Sequence, residues 1–204
     1  MAAVRTLEVT AAGILIGLAF GLIAGFGKIS KNPLFRWPAS FYVYIIRGTP
    51  LLLQLWYIYL GLAEFISLDA FTSAALGLGI HNGAYIAEIF RGAIQSIDRG
   101  QMEAAESLGM TYLQAMRRVI LPQALKRAVP PLGNQLIIAL KDSSLASTIT
   151  IHELLLQSKI LGASHFAYIE MLTVAGLFYL AFTTVLTLLV NSVESRLGVS
   201  DYRD

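Results

Sequence analysis

The sequence predicts an all-α, polytopic membrane protein with five transmembrane helices and no catalytic centre of its own. In 204 residues, 56% are hydrophobic and 14% are charged, against roughly 25% charged in an ordinary soluble domain. The charges gather in clumps between long uncharged stretches. Those stretches approach the ~20 residues a helix needs to cross ~30 Å of hydrocarbon.

The length suggests a single domain over 1–204. A net charge of +2 is too small to argue for nucleic acid, and the absence of cysteine excludes disulfides and thiolate metal sites.

Residues 9–27 contain no charge and form the first span. A secretory signal carries its positive charge before the apolar run. Here Arg5 is offset by Glu8, and the stronger positive flank of Lys28, Lys31 and Arg36 follows the run, so this helix is expected to be retained. Gly13, Gly17, Gly21 and Gly25 recur every four residues on one face, a spacing that lets membrane helices approach closely. Packing within the chain and contact with a second subunit both fit. The second span is expected within 39–63, with Arg47 and Pro50 setting the geometry at its start. The third covers 70–87 and continues to about Ile94, bringing Glu88 and Arg91 near its end. The fourth covers 128–140, is interrupted at Lys141-Asp142 and resumes over 145–151. The fifth, 171–193, is the cleanest.

Lysine and arginine in short loops set orientation. The first loop holds Lys28, Lys31 and Arg36; the second, 61–69, holds neither type but carries Glu64 and Asp69. The third, 91–127, holds Arg91, Arg99, Arg117, Arg118, Lys126 and Arg127, and the fourth, 152–168, only Lys159. This alternation puts the first and third loops in the cytoplasm. The N-terminus is then outside and the C-terminus, with Arg196 and Arg203, inside.

The third loop is polar yet strongly patterned. Asp98 followed by Gln101, and Thr111 followed by Gln114, have the form of helix caps with a reciprocal acceptor three residues on. Gly109 between them suits a helix end in the left-handed conformation, and Pro122 is expected to end the second helix. Tyr112, Leu113, Met116, Val119 and Ile120 share one apolar face. Two short helices joined by a turn are predicted.

On these residues the chain resembles a family. Glu103-Ala104-Ala105, three residues, Gly109, then Leu121-Pro122 look like the EAA loop of ABC-importer permeases, with Val119 in place of the usual Ile. Arg47-Gly48-Thr49-Pro50-Leu51, the run from Ala87 to Ile94, and Leu140-Lys141-Asp142-Ser143-Ser144-Leu145 resemble the polar amino-acid permeases of the histidine/glutamine/arginine group. The likeness runs from about Thr6 to Leu197. It implies the type I ABC-importer permease fold in a bacterial cytoplasmic (inner) membrane. The implied partners are two ABC ATPase subunits, a second permease subunit (identical or related) and an extracytoplasmic amino-acid-binding protein. Glu103, Ala104, Ala105, Gly109, Leu121 and Pro122 would form the ATPase contact, within a cytoplasmic coupling loop over 95–127. The chain lacks a Gly-x4-Gly-Lys-Ser/Thr phosphate loop. No cofactor is therefore expected here, and ATP and Mg would be bound by the partner ATPase.

Ionisable residues at membrane depth are costly and usually face the interior or a water-filled cavity. Tyr57, Tyr85, Glu88, Asn134, Lys141 and Asp142 are the candidates for the substrate pathway, since an amino acid needs both an acceptor and a donor. The competing reading is that Glu88 and Lys141 pair with each other, or that Lys141-Asp142 marks a helix break. His81, Tyr85 and Glu88 share a face at i, i+4 and i+7; Asn134 shares a face with Lys141, and Gln135 with Asp142. A passive channel, or a membrane scaffold docking an unrelated cytosolic protein, is the alternative function. A membrane-embedded enzyme finds no nucleophile–base pair to support it.

Overall fold

The computed structural model describes residues 1–63 and 65–197, and every described regular element is helical. Glu64 and Arg203, counted above among the loop and terminal charges, lie outside the described residues. α1 spans Ala2–Ile29. α2, Pro33–Arg47, starts where Asn32 accepts the Leu34 N–H and Pro33 takes the first turn. α3 is Leu51–Trp56 and runs into a π turn, Tyr57–Gly61. α4, Ala70–Gln95, is capped by Asp69, whose carboxylate accepts from Phe71 and Thr72. The hydrogen bond from the Thr72 hydroxyl, with those backbone bonds, holds the Asp69 carboxyl below its ordinary range.

A hairpin follows: α5, Arg99–Ser107, and α6, Tyr112–Ala115. A second π turn, Met116–Ile120, leads directly into α7, Leu121–Asp142, and then a 3₁₀ segment, Ser143–Ile149. α8 is Leu154–His165 and α9 is Tyr168–Arg196.

α4 is the centre of the molecule. It contributes to three buried clusters: one with α1, α3 and the 3₁₀ segment, one with α1 and α2, and one with the π turn and α7. Against α1 it packs in parallel. The α1 glycines Gly13, Gly17, Gly21 and Gly25 meet Leu78, Asn82, Ile86 and Phe90 in turn. A Cβ on Gly13 would lie 2.8 Å from that of Leu78, and one on Gly17 would lie 3.2 Å from the Gly79 carbonyl oxygen. The glycine face is thus spent on packing within the chain. α4 returns the favour with Gly79 and Gly83, which receive Ile16 and Phe20.

α1 and α9 are each long and apolar enough to cross a membrane on their own. α4 and α7 are long too, but their turns carry amides, charges and prolines.

Three expectations need correction. The second span is two helices, broken at Gly48–Pro50, because a proline disfavours helical backbone in the residue before it and Pro50 sits extended at ψ 138°. Arg47 therefore closes α2 at this break and does not start the span. Pro122 does not end a helix. The Leu121 N–H reaches back to the Met116 carbonyl through the π turn. Pro122 then falls in the first turn of α7, where a missing donor matters little. Finally, the fourth loop contains α8, whose twelve residues are too few to register as a span. The expected interruption at Lys141-Asp142 is present as the end of α7.

Candidate functional site

The hairpin at the α4–α7 end is built almost wholly by local rules. Asp98 caps α5 by accepting the Gly100 N–H at 2.7 Å. Its expected reciprocal partner Gln101 instead accepts from Gln123 on α7 at 3.2 Å. α5 ends where Gly109 takes a φ of 82°. The Met110 N–H bonds the Ala105 carbonyl and the Gly109 N–H that of Glu106, the paired closure of a Schellman motif. Thr111 and Gln114 then form a complete capping box at the start of α6.

Ala105 is buried, while Glu103, Ala104, Gly109 and Pro122 are exposed and Leu121 is half-buried. The expected apolar face splits. Ile120 is buried and Met116 and Val119 pack beneath it. Tyr112 and Leu113, however, project outward with Leu108, which is 81% exposed. A charged hairpin with a cluster of bare apolar side chains has the composition of a contact surface.

The hairpin is fixed to the bundle. Arg127 of α7 donates to the Ser96 carbonyl at the end of α4. Lys31, just beyond α1, lies 5.5 Å from the Tyr112 ring centroid. The first and third loops therefore share one end of the molecule.

Within the bundle a polar seam starts at the α2–α3 break. The Gln54 amide donates to the Ile46 carbonyl at 2.8 Å and to Thr49 at 2.9 Å, meeting acceptors that the break leaves free. Its oxygen meets His81 Nδ1 at 3.0 Å. The His81 ring lies against Tyr85, and Arg47 lies 5.3 Å from the Tyr85 ring centroid.

Arg47 also reaches Glu88 at 3.7 Å. Glu88 is paired with Lys28 of α1 and accepts from Arg91 at 2.7 Å. Among the described residues its charged partners are these three cations, so the pairing with Lys141 that competed with the pathway reading is not formed. Sequence order hides such a cluster, because Lys28 and Arg47 are both far from Glu88 along the chain.

The predicted faces of α7 separate cleanly. Gln135 is buried and donates to Asn82 of α4 at 2.7 Å, whereas Asn134 and Lys141 are exposed. Tyr57 is exposed on the α3 π turn, and Asp142 is half-buried at the end of α7. Tyr85 and Glu88 are brought together with Arg47. Among the described residues no hydrogen bond or ion pair joins them to Asn134, Lys141 or Asp142.

Gln54 and Glu153 are polar side chains that sequence reasoning passed over. The signal for Gln54 was a lone amide in an apolar run, one helical turn after the Gly48-Thr49-Pro50 break. Glu153 is fully buried, caps α8 through the Leu155 and Leu156 N–H groups, and accepts from Tyr179 of α9 at 2.7 Å.

Residues 17–199 match the family model described as the inner membrane component of binding-protein-dependent transport systems. The chain belongs to this family. The resemblance drawn from residues 103–122 holds at that level, and the protein is an integral membrane transport component.

Among similar members is the probable amino-acid ABC transporter permease protein YckA of Bacillus subtilis, 41% identical over 94% of this chain and 85% of that protein. The arginine transport system permease protein ArtQ of the same organism is 37% identical over 96% of this chain and 90% of its own length. The crystal structure of an amino acid ABC transporter with histidines superposes with a TM-score of 0.90 at 41% identity, covering 95% of this chain and 91% of that one. The permease fold of the family is thus the fold described above.

Proposed function

We propose that this chain is the membrane-spanning permease subunit of an ATP-driven importer of polar amino acids. Five crossings fit the helices: α1, the broken pair α2–α3, α4, α7 and α9, with N-terminus outside and C-terminus in the cytoplasm of a bacterial cell, in its inner membrane. Shared placement of the basic first and third loops at the hairpin end supports this orientation. The named relatives support amino acids as the substrate class.

The observation that carries the reading is the hairpin: rigidly capped at both helices, tied to α4 and α7, and bare at Leu108, Tyr112 and Leu113. Over 95–127 it serves as the coupling loop. Glu103, Ala104, Ala105 and Gly109 form the face that an ABC ATPase subunit engages, with Leu121 and Pro122 passing the movement into α7. ATP and Mg belong to that partner, present in two copies. A second permease subunit, identical or related, completes the pathway, and an extracytoplasmic binding protein delivers the amino acid.

Asn134 and Lys141 support a pathway along α7. An amide and an ammonium exposed at membrane depth are expensive against lipid, so this face borders water or the second subunit. Tyr57, Tyr85 and Asp142 complete the polar lining. Glu88 plays a different part, since three cations already occupy its carboxylate. It holds α1, α2 and α4 together.

The test is co-purification with the cognate ATPase and measurement of amino-acid-stimulated hydrolysis in proteoliposomes. Gly109→Val places a β-branched residue at φ 82°, a backbone region that costs such residues on the order of 1–3 kcal/mol. Stimulated hydrolysis and uptake should both disappear while membrane insertion persists. Uptake by the permease without any ATPase would instead make the protein a channel.

A further inference from the structure

At the hairpin end, α1, α4 and α7 leave an apolar crevice of about 190 Å³. Leu22 and Phe26 form one wall, Phe90 and Ile94 the second, and Leu121 and Leu125 the third, over a floor that includes Gly25. Leu22, Phe26 and Leu125 are exposed, so the crevice opens outward from the bundle. In a membrane it faces acyl chains. An unfilled crevice forfeits the dispersion contacts of its lining, so hydrocarbon enters it.

The charge around it decides which lipid stays. From Thr111 to Lys141 the helix through α6, the π turn and α7 contains no acidic residue, yet it carries Arg117, Arg118 and Lys126, all exposed. Arg117 stands about one turn before Leu121, on the hairpin side of the crevice, within the π turn. Lys31, also exposed, holds the first residue of α6 through its ring. Residues 9–31 of α1 and its flank contain no acid either. Glu88 on α4 is taken up by Lys28, Arg91 and Arg47.

We propose that this crevice is a binding site for an anionic phospholipid of the cytoplasmic leaflet, its acyl chain lying between Phe26 and Leu125 and its phosphate on Arg117. The leaflet rests on the orientation proposed above; the site itself does not. A bound chain would wedge α1 against the root of the hairpin, and the cations would select the headgroup.

The purified full-length chain, exchanged into micelles containing equimolar phosphatidylglycerol and phosphatidylethanolamine, is examined by native mass spectrometry. One phosphatidylglycerol per chain is expected to be retained in preference to phosphatidylethanolamine. Arg117→Gln, a surface change, should lower that preference about fivefold, the effect of one basic residue at an anionic surface. Leu125→Trp at the rim should fill the crevice and release both lipids. Equal retention of the two lipids by the unaltered chain, or unchanged retention in Leu125→Trp, would overturn the proposal. So would a disulfide formed on oxidation between the thiols of two Phe26→Cys chains, since protein would then cover the crevice. The assay reads bound lipid alone, so failure of ATPase coupling would count against the importer reading and leave this result standing.

Discussion

α1 and α9 are nearly alike in length and hydropathy and opposite in surroundings. They differ in length by one residue, and both are long and apolar enough to span. Yet 39% of the apolar window of α1 is buried inside the molecule, against 6% for α9. Hydropathy is alike; the spacing of small residues is not. α1 presents a glycine every four residues to α4, whereas α9 buries only Ala175 and lies along α7 and α8, with Val190 against Gly133 and Tyr168 against Gly162, while most of its side chains stay exposed. In lipid, where burial of apolar surface drives no association, close approach and polar ties decide which helices hold together.

The largest effect is therefore expected at the α1–α4 seam. A Cβ on Gly21 would lie 2.7 Å from that of Ile86 and 3.1 Å from the Gly83 carbonyl oxygen. A backbone carbonyl cannot swing aside as a side chain can. Gly21→Leu should cost at least about 3 kcal/mol, seen as loss of monodisperse protein and a strongly lowered Tm in detergent. A Tm close to that of the unaltered chain would mean the two helices are free to separate.

α9 is held by a different device. Glu153, fully buried, accepts two N–H groups of α8 and the Tyr179 hydroxyl of α9, while the Leu154 N–H is met by Thr6 of α1. Glu153→Leu strands the two backbone donors and leaves the Tyr179 hydroxyl only the Thr6 and Ser143 hydroxyls. Each buried unsatisfied donor costs roughly 1–3 kcal/mol; the first-turn amides of α8 can recover part of that from water, which leaves a net loss of about 2–3 kcal/mol. Hydrogen exchange of the first turn of α8 should rise with it. A variant that melts normally with protected amides would show that α8 is capped some other way.

Tyr179→Phe removes only the α9 end of this joint. The carboxylate keeps its two backbone donors, so the loss should be near 1 kcal/mol, the net value of one hydrogen bond. An effect as large as that of Glu153→Leu would mean that Tyr179 is the main support of the joint.

What could be read from the sequence follows the same division between local and distant. The caps at Asp98 and Thr111 and the left-handed Gly109 depend on neighbours within a few residues, and each forms, although the reciprocal half expected of Gln101 is turned to Gln123 on α7 instead. The glycine repeat named a tight face, although only the structure chose α4 as its partner. The break at Gly48–Pro50 was hidden because hydropathy averages across a short kink. Pro122 misled because a π turn upstream moves it into a permitted position, and nothing within its own turn announces that. The cations on Glu88 come from three different helices, which no periodicity in one of them can reveal. Of the pathway candidates, Tyr85 and Glu88 meet in space, while Asn134 and Lys141 share only a face.

The smallest effect is expected on the outer face of α9. Leu180 is 61% exposed, and its neighbours in a membrane are lipid tails. Leu180→Ala would exchange contacts with lipid for contacts with lipid, because tails flow into the space that a protein core would leave as a cavity. Surface changes of this kind stay within about 0.5 kcal/mol, so the Tm of the assembled transporter should barely move. A loss of about 2 kcal/mol or more is the signature of a truncated side chain in a protein core. It would appear only if another helix, such as one from a second permease subunit, covered this face. Measuring Leu180→Ala in the isolated chain and in the assembled complex separates the cases. Equal small effects leave α9 to lipid, and a loss confined to the complex assigns the face to a neighbouring subunit.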